Sequence, residues 1–277
     1  MKKPNNRRNL DIAIHRVSES EEGFVQYRTT MANTVVGQML PSGVLKGGAS
    51  LKIRYGATAT RFTTDLDTAR AEDLDSFINR LGEELAEGWE GFTGRVLPRN
   101  PAHPDGVPPA YVMQPFDIKL EYFGRPWCTV ALEVGYNEIG DADEAEWYIA
   151  PDIIKMFTDL GFPEPSPLPL MPLHYQIAQK LHGLSEEGSE RPHDLVDLQL
   201  MMKDESLNIQ IIADTCKRLF AYRKLQKWPC TITKNERWGQ LYDEARAGLD
   251  VVENIDDAIQ WANDFVNHID LPYNMII

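Results

Sequence analysis

Apolar residues recur along this chain in two rhythms, and the change from one to the other falls near its middle. Over residues 69–89, "ARAEDLDSFINRLGEELAEGW" sets Leu74, Phe77, Ile78, Leu81, Leu85 and Trp89 three and four apart, the stripe of an amphipathic helix. "YVMQPFDIKLEYF" (111–123) and "WCTVALEVGY" (127–136) are rich in β-branched and aromatic residues and predict two strands joined by "GRP". Upstream, residues 24–39 predict a helix despite their β-branched content. "SGVLKGG" predicts a short strand running into a glycine turn, and "ASLKIRYG" a short helix closed by Gly56. "ATRFTTDLD" has strand character in its first half, ending in Asp65-Leu66-Asp67, and "LPRNPAHPDGVPPA" reads as a long loop. A further helix is expected around 151–160.

Five prolines then fall within "GFPEPSPLPLMP" (161–172), a density that predicts a stiff connector without helix or strand. Beyond it the period is helical throughout: 173–184, 193–203, 207–223, 236–248 and 255–269. The expected organisation is a basic segment at 1–20, a mixed α/β domain at 21–162, the connector at 163–172 and an all-helical domain at 173–277.

At 277 residues the chain can bury a large core, and its 43% hydrophobic and 25% charged content is ordinary for a globular protein. The N-terminal "MKKPNNRRNLDIAIHR" has no continuous apolar stretch and does not read as a secretory signal. No run approaches the roughly 18–20 apolar residues of a membrane span. A cytoplasmic protein without a membrane partner is expected. Cys128, Cys216 and Cys230 are far apart and the histidines form no HExxH, so neither supplies a zinc site. A net charge of −14 argues against binding polyanions over the whole surface. Residues 1–60, with nine Lys/Arg against four Asp/Glu, are where a polyanion is expected, and residues 133–164 hold nine acids and one lysine.

Chemistry concentrates around one short run. Residues two apart in a strand share a face, so Asp65 and Asp67 would present two carboxylates suited to a hard cation such as Mg²⁺. Glu133 interrupts the apolar strand "TVALEVGY" and offers a third. Gly47 and Gly48 would let the backbone approach a phosphate, and the helix that follows would offer free N–H groups to it. An isolated Asp-x-Asp is commonplace in solvated turns; order and spacing make this one notable. No GxGxxG and no GxxxxGK[ST] occurs.

"LKGGASLKIRYG" followed by "RFTTDLD" resembles the first motif of the AbiEii-type nucleotidyltransferase toxins, the enzyme half of a bacterial toxin–antitoxin system. "LHYQIAQKLHGL" followed by "RPHDLVDLQLM" is similar to that family's lysine-bearing helix and its Arg-x-x-Asp-Leu-x-Asp helix. The resemblance implies a polymerase-β-like nucleotidyltransferase domain with a small mixed sheet, followed by helices. It implies metal binding (Mg²⁺ or Mn²⁺) by Asp65, Asp67 and Glu133, nucleotide contacts from Gly47, Gly48, Thr63 and Lys180, and catalytic roles for Asp65, Asp67, Lys180 and Asp194. Thr63 stands where the family commonly has serine.

On helix 173–184 Lys180 lies within the apolar stripe of Leu173, Ile177, Leu181 and Leu184, where a lysine commonly snorkels to the rim but would find a natural partner in a carboxylate-and-phosphate site facing the helix. Asp194 follows Pro192 in a first helical turn, which also suits an acid on dipole grounds; Asp197 is expected to cap, to pair with Arg191 or to brace Lys180. The resemblance implies transfer of a nucleoside monophosphate from an NTP to an acceptor hydroxyl, with RNA, particularly the tRNA 3′ end, as acceptor and a cognate antitoxin as partner. Two alternatives stay open: a transferase acting on a small cationic molecule, and a nucleotide-binding protein without transfer.

Overall fold

The computed structural model describes residues 2–18, 20–101 and 112–271. The chain divides into two compact units between Met171 and Pro172. Residues 168–170, expected within an unstructured connector, instead form a strand of the first unit.

The first unit is built on a seven-stranded mixed sheet. Its strands are β1 (Val44–Lys46), β2 (Leu66–Arg70), β3 (Phe92–Pro98), β4 (Gln114–Tyr122), β5 (Arg125–Tyr136), β6 (Glu146–Tyr148) and β7 (Leu168–Leu170). They lie in the order β3-β4-β5-β2-β1-β7-β6. β2 runs parallel to β5 and β1 parallel to β7; the remaining neighbours are antiparallel. β4 and β5 are joined through Phe123 and Gly124, both at positive φ, as a two-residue hairpin turn requires.

Helices α1 (Arg7–Ser18), α2 (Glu21–Gln38), α3 (Gly47–Tyr55), α4 (Leu74–Glu87) and α5 (Pro151–Asp159) complete this unit. One face of the sheet supplies Leu45, Leu66, Phe116, Ile118, Leu120, Leu132 and Val134 to a core shared with Leu10, Ile14, Met31 and Val35. Phe77, Leu81 and Leu85 of α4 are fully buried in the same cluster. α1 arises from the short stripe Leu10, Ala13, Ile14, and its Asp11 accepts a hydrogen bond from Trp127 Nε1 at 3.0 Å. Ser20 caps α2 by accepting from the Gly23 N–H, and Asp73 caps α4 through the Ser76 N–H.

The second unit is helical among its described residues: α6 (Leu173–Leu184), α7 (His193–Met201), α8 (Ile209–Arg223), α9 (Trp238–Arg246) and α10 (Ile255–Asp270). Ile177, Leu181, Leu195, Leu198, Leu219, Trp238, Ala258 and Ala262 form its buried interior. Among the described residues no helix is long and apolar enough to cross a membrane.

Candidate active site

Each unit, taken by itself, holds a group of charged side chains. In the first, strand register creates a row. Lys46 of β1 pairs with Asp67 of β2, and Asp67 pairs with Glu133 of β5. Directly opposed residues project to the same face, and neighbouring strands lie about 4.8 Å apart, so an ammonium and two carboxylates stand side by side. This face is opposite the one that feeds the core.

The sequence places Asp65-Leu66-Asp67 at the end of a strand; the structure places it at the start of one. Residues 57–65 find no ladder partner, and β2 begins at Leu66, the first residue of the run to be fully buried. Asp65 therefore precedes the strand, exposed, with Thr64 Oγ1 donating to its Oδ1 at 3.1 Å.

The Gly-Gly pair answers to these side chains. Gly47 adopts φ +67, and a Cβ at this position would overlap Oδ2 of Asp67. A Cβ on Gly48 would lie 3.2 Å from Thr63 Oγ1 and 3.1 Å from a terminal nitrogen of Arg61. The two glycines are thus the floor on which Asp67 and Thr63 rest. They also open α3, whose N-cap Lys46 makes no side-chain cap, and the first N–H groups of a helix have no intrahelical acceptor. A phosphate is a natural acceptor for such donors.

Burial, then the negative fields of Asp67 and Asp65, push the Glu133 carboxyl above the ordinary glutamate range; Arg99 and Lys46 oppose that rise. Glu133 therefore feels the charge of both aspartates. Among the described residues no three His, Cys, Asp or Glu side chains are gathered as a ready metal-ligand set. Oxygen donors on two or three carboxylates nevertheless suit Mg²⁺, which is commonly held by one or two carboxylates with substrate phosphates and water. Asp67 and Glu133, side by side across β2 and β5, supply donors of that kind.

In the second unit Lys180 of α6 is 4% exposed and Asp194 and Asp197 of α7 are fully buried. Lys180 Nζ donates to Asp194 Oδ1 at 2.6 Å and to Asp197 Oδ2 at 2.7 Å. Arg191 Nε donates to the other oxygen of Asp194 at 2.8 Å, and His193 Nε2 lies 3.8 Å from Oδ1. Burial opposes charge on Asp194, but Lys180, Arg191 and His193 overcome it and hold the carboxyl well below the usual range. The motif residues of this unit thus form one hydrogen-bonded ion cluster, in which Asp197 braces Lys180 and Arg191 pairs with Asp194.

Lys46 and Arg99 escaped the sequence reading. Lys46 had a signal, since it directly precedes the two glycines. Arg99 had none, because it falls in the stretch 97–110 that reads as a long loop, and β3 before it is not predicted.

A mixed sheet with acids aligned on one face, glycines opening a helix beside them, and a helical second unit are the features that the nucleotidyltransferase resemblance implies. The family model of the AbiEii nucleotidyl transferase toxins of type IV toxin–antitoxin systems matches residues 35–267, and the chain belongs to that family. In fold it is similar to MenT4, a nucleotidyltransferase toxin of Mycobacterium tuberculosis, with a TM-score of 0.63 at 16% identity over 95% of this chain and 91% of that one. JHP933 of Helicobacter pylori superposes with a TM-score of 0.46 at 15% identity, over 90% of this chain and 92% of that one. Among curated protein sequences the chain finds no match.

Proposed function

We propose that this family member transfers a nucleoside monophosphate from an NTP to a hydroxyl of RNA, with the tRNA 3′ end as acceptor, in the cytoplasm. A cognate antitoxin would restrain it. The observation that carries the reading is the alignment of Asp67 with Glu133 beside Gly47, with Asp65 two residues before it. The acceptor oxygen bonds to the α-phosphorus, the bond from that phosphorus to the bridging oxygen breaks, and pyrophosphate leaves. A Mg²⁺ or Mn²⁺ ion held by Asp65, Asp67 and Glu133 would neutralise phosphate charge and favour the attacking oxygen.

The chain's own groups do the remainder. Gly47 and Gly48 admit the phosphates close to the backbone at the start of α3, and Thr63 offers a hydroxyl beside them. Lys46 adds a positive charge to the same row. Glu133 is engaged as a donor to the ion in this reading, and the proton released by the acceptor hydroxyl passes to water. In the second unit Lys180 would meet a nucleotide phosphate, with Asp194 fixing the position of its ammonium.

The test is incubation with each radiolabelled NTP, Mg²⁺ and total RNA, resolved on a gel. Label in an RNA band is expected with at least one NTP. Label appearing only in a small amine-bearing acceptor overturns the RNA acceptor but keeps the transferase. NTP binding without label in either overturns transfer itself.

A further inference from the structure

The face that carries Asp67 and Glu133 continues across β5, β4 and β3. Pro115 pairs with Glu133, and its carbonyl accepts the Arg99 N–H at 2.9 Å. One step along, Leu97 pairs with Asp117 and Asp117 with Ala131; one step further, Arg95 pairs with Lys119 and Lys119 with Thr129. Paired residues share a face, so Arg99, Lys119 and Arg95 succeed one another on the side of the carboxylates. The intervening Val96, Ile118 and Val130 turn to the opposite face, where α4 packs; Val96 Cγ1 approaches Gly82 there.

Arg95, Leu97 and Thr129 are exposed and Lys119 is half-buried. Asp117 is the acid within the strip, accepting from Lys119 Nζ at 2.8 Å and facing Arg99 Nε at 3.8 Å. Three cations against Asp117, with Glu121 at the far end, leave a small local excess of positive charge beside an acidic site, in a chain whose net charge is −14. The strip ends where Thr93 pairs with Glu121. From Arg95 to Arg99 it runs about 13 Å at roughly 3.3 Å per residue, the reach of two or three nucleotides.

The basic excess of residues 1–60 is largely engaged elsewhere. Lys3 pairs with Glu90, Arg7 and Arg28 with Asp11, and Arg54 with Glu146, while Lys52 is buried against the Ala57 carbonyl. The charge that the sequence assigns to polyanion binding is therefore partly spent inside the first unit.

We propose that the open face of β3, β4 and β5 holds the last nucleotides of a single-stranded polynucleotide acceptor. Arg95, Lys119 and Arg99 would receive successive phosphates, Leu97 would underlie a base or sugar, and the 3′ hydroxyl would lead to Asp67 and Glu133. The proposal rests on the transferase reading above and names where its acceptor lies. A cationic small acceptor is disfavoured here, since it would meet like charge on approach.

Binding is read without NTP, so it stands apart from transfer. Fluorescence anisotropy of a 5′-labelled eight-nucleotide single-stranded RNA would be followed between 50 and 200 mM salt with the full chain. Arg95→Ala combined with Lys119→Ala should weaken binding at least about ten-fold and flatten the log–log salt slope by roughly 1.4, since each single-strand phosphate contact contributes about 0.7. Binding of a fluorescent NTP analogue should be unchanged. Arg95→Gln alone, at an exposed position that folding does not need, should flatten the slope by about 0.7. Arg7→Ala with Arg8→Ala should leave both readings as in the wild type. Wild-type affinity and slope in both strip variants overturn the proposal, as does loss confined to the Arg7/Arg8 variant or a wild type that binds no RNA. Absence of nucleotide incorporation with RNA binding intact would instead fault the transferase reading and leave the binding surface standing.

Discussion

Gly47 and Asp67 compete for one volume: any side chain on the glycine would displace the Asp67 carboxylate from the row it forms with Glu133. Gly47 also holds φ +67, a conformation that disfavours an L side chain by about 1–2 kcal/mol. Gly47→Ala should therefore lower transfer at least about a hundred-fold and reduce Tm by several degrees. Labelled-NTP incorporation and thermal unfolding on the same preparation check both. Near-normal transfer would mean that the position of Asp67 is not part of the site.

Asp65→Asn or Asp67→Asn should abolish transfer while the fold persists. Each removes one negative charge from a cation site but keeps the side-chain volume. Asp65 is exposed, so relief of like charge leaves its Tm unchanged or slightly raised, whereas Asp67 lies between Glu133 and Lys46, whose opposite effects should leave its Tm nearly unchanged. Full activity in Asp65→Asn would remove that residue from the metal assignment.

The parts of this architecture that were legible in the sequence are those where burial imposes a period. α4, β5 and α10 announce themselves because each must present an apolar face to a core. β3, β6 and β7 were missed for the converse reason. β3 and β6 are edges of the sheet, and β6 and β7 have only three residues each. In β7 alternating prolines hid Leu168 and Leu170, which are 2% and 0% exposed; their burial outweighs the ladder bonds that proline cannot make.

The same contrast runs through the site. Glu133 was legible as a charge inside an apolar strand, and Lys180 as a charge inside an apolar helical stripe. Lys46 and Arg99 were not, because a cation on the open face of a strand looks like any solvated side chain. Only register shows which charges share a face.

Glu133 makes a pH prediction. Its carboxyl is raised by burial and by Asp67 and Asp65, so the folded state binds its proton more tightly than the unfolded chain does. Such a group destabilises once pH exceeds its folded value, and the penalty vanishes as pH falls below its unfolded value. Glu133→Gln should thus raise the Tm of the metal-free protein, or leave it equal, at neutral pH, and this advantage should shrink as pH falls below the ordinary glutamate range. A Tm difference that does not change with pH would exclude this carboxylate as the titrating group.

Lys180 gives the sharpest separation of structure from chemistry. Both of its carboxylate partners are fully buried, and removing one member of a buried ion pair typically costs about 3–5 kcal/mol because the other is left uncompensated. Lys180→Ala should therefore lower stability substantially, and it should also weaken NTP binding per folded molecule if the ammonium serves the nucleotide. Denaturant unfolding gives the first quantity, and nucleotide titration corrected for the folded fraction gives the second. Asp194 adds the sign of the pH effect. Its folded pKa is depressed, so its contribution is complete above the unfolded value and drains as pH falls through the folded one. The stability gap between wild type and Asp194→Asn should accordingly be constant from pH 7 to about 5 and narrow below about pH 4, where an ordinary aspartate takes up its proton. A gap that persists unchanged at pH 3 would mean that the packing of Asp194, rather than its charge, holds α6 to α7. Unaltered NTP affinity in folded Lys180→Ala would confine the cluster to that structural task.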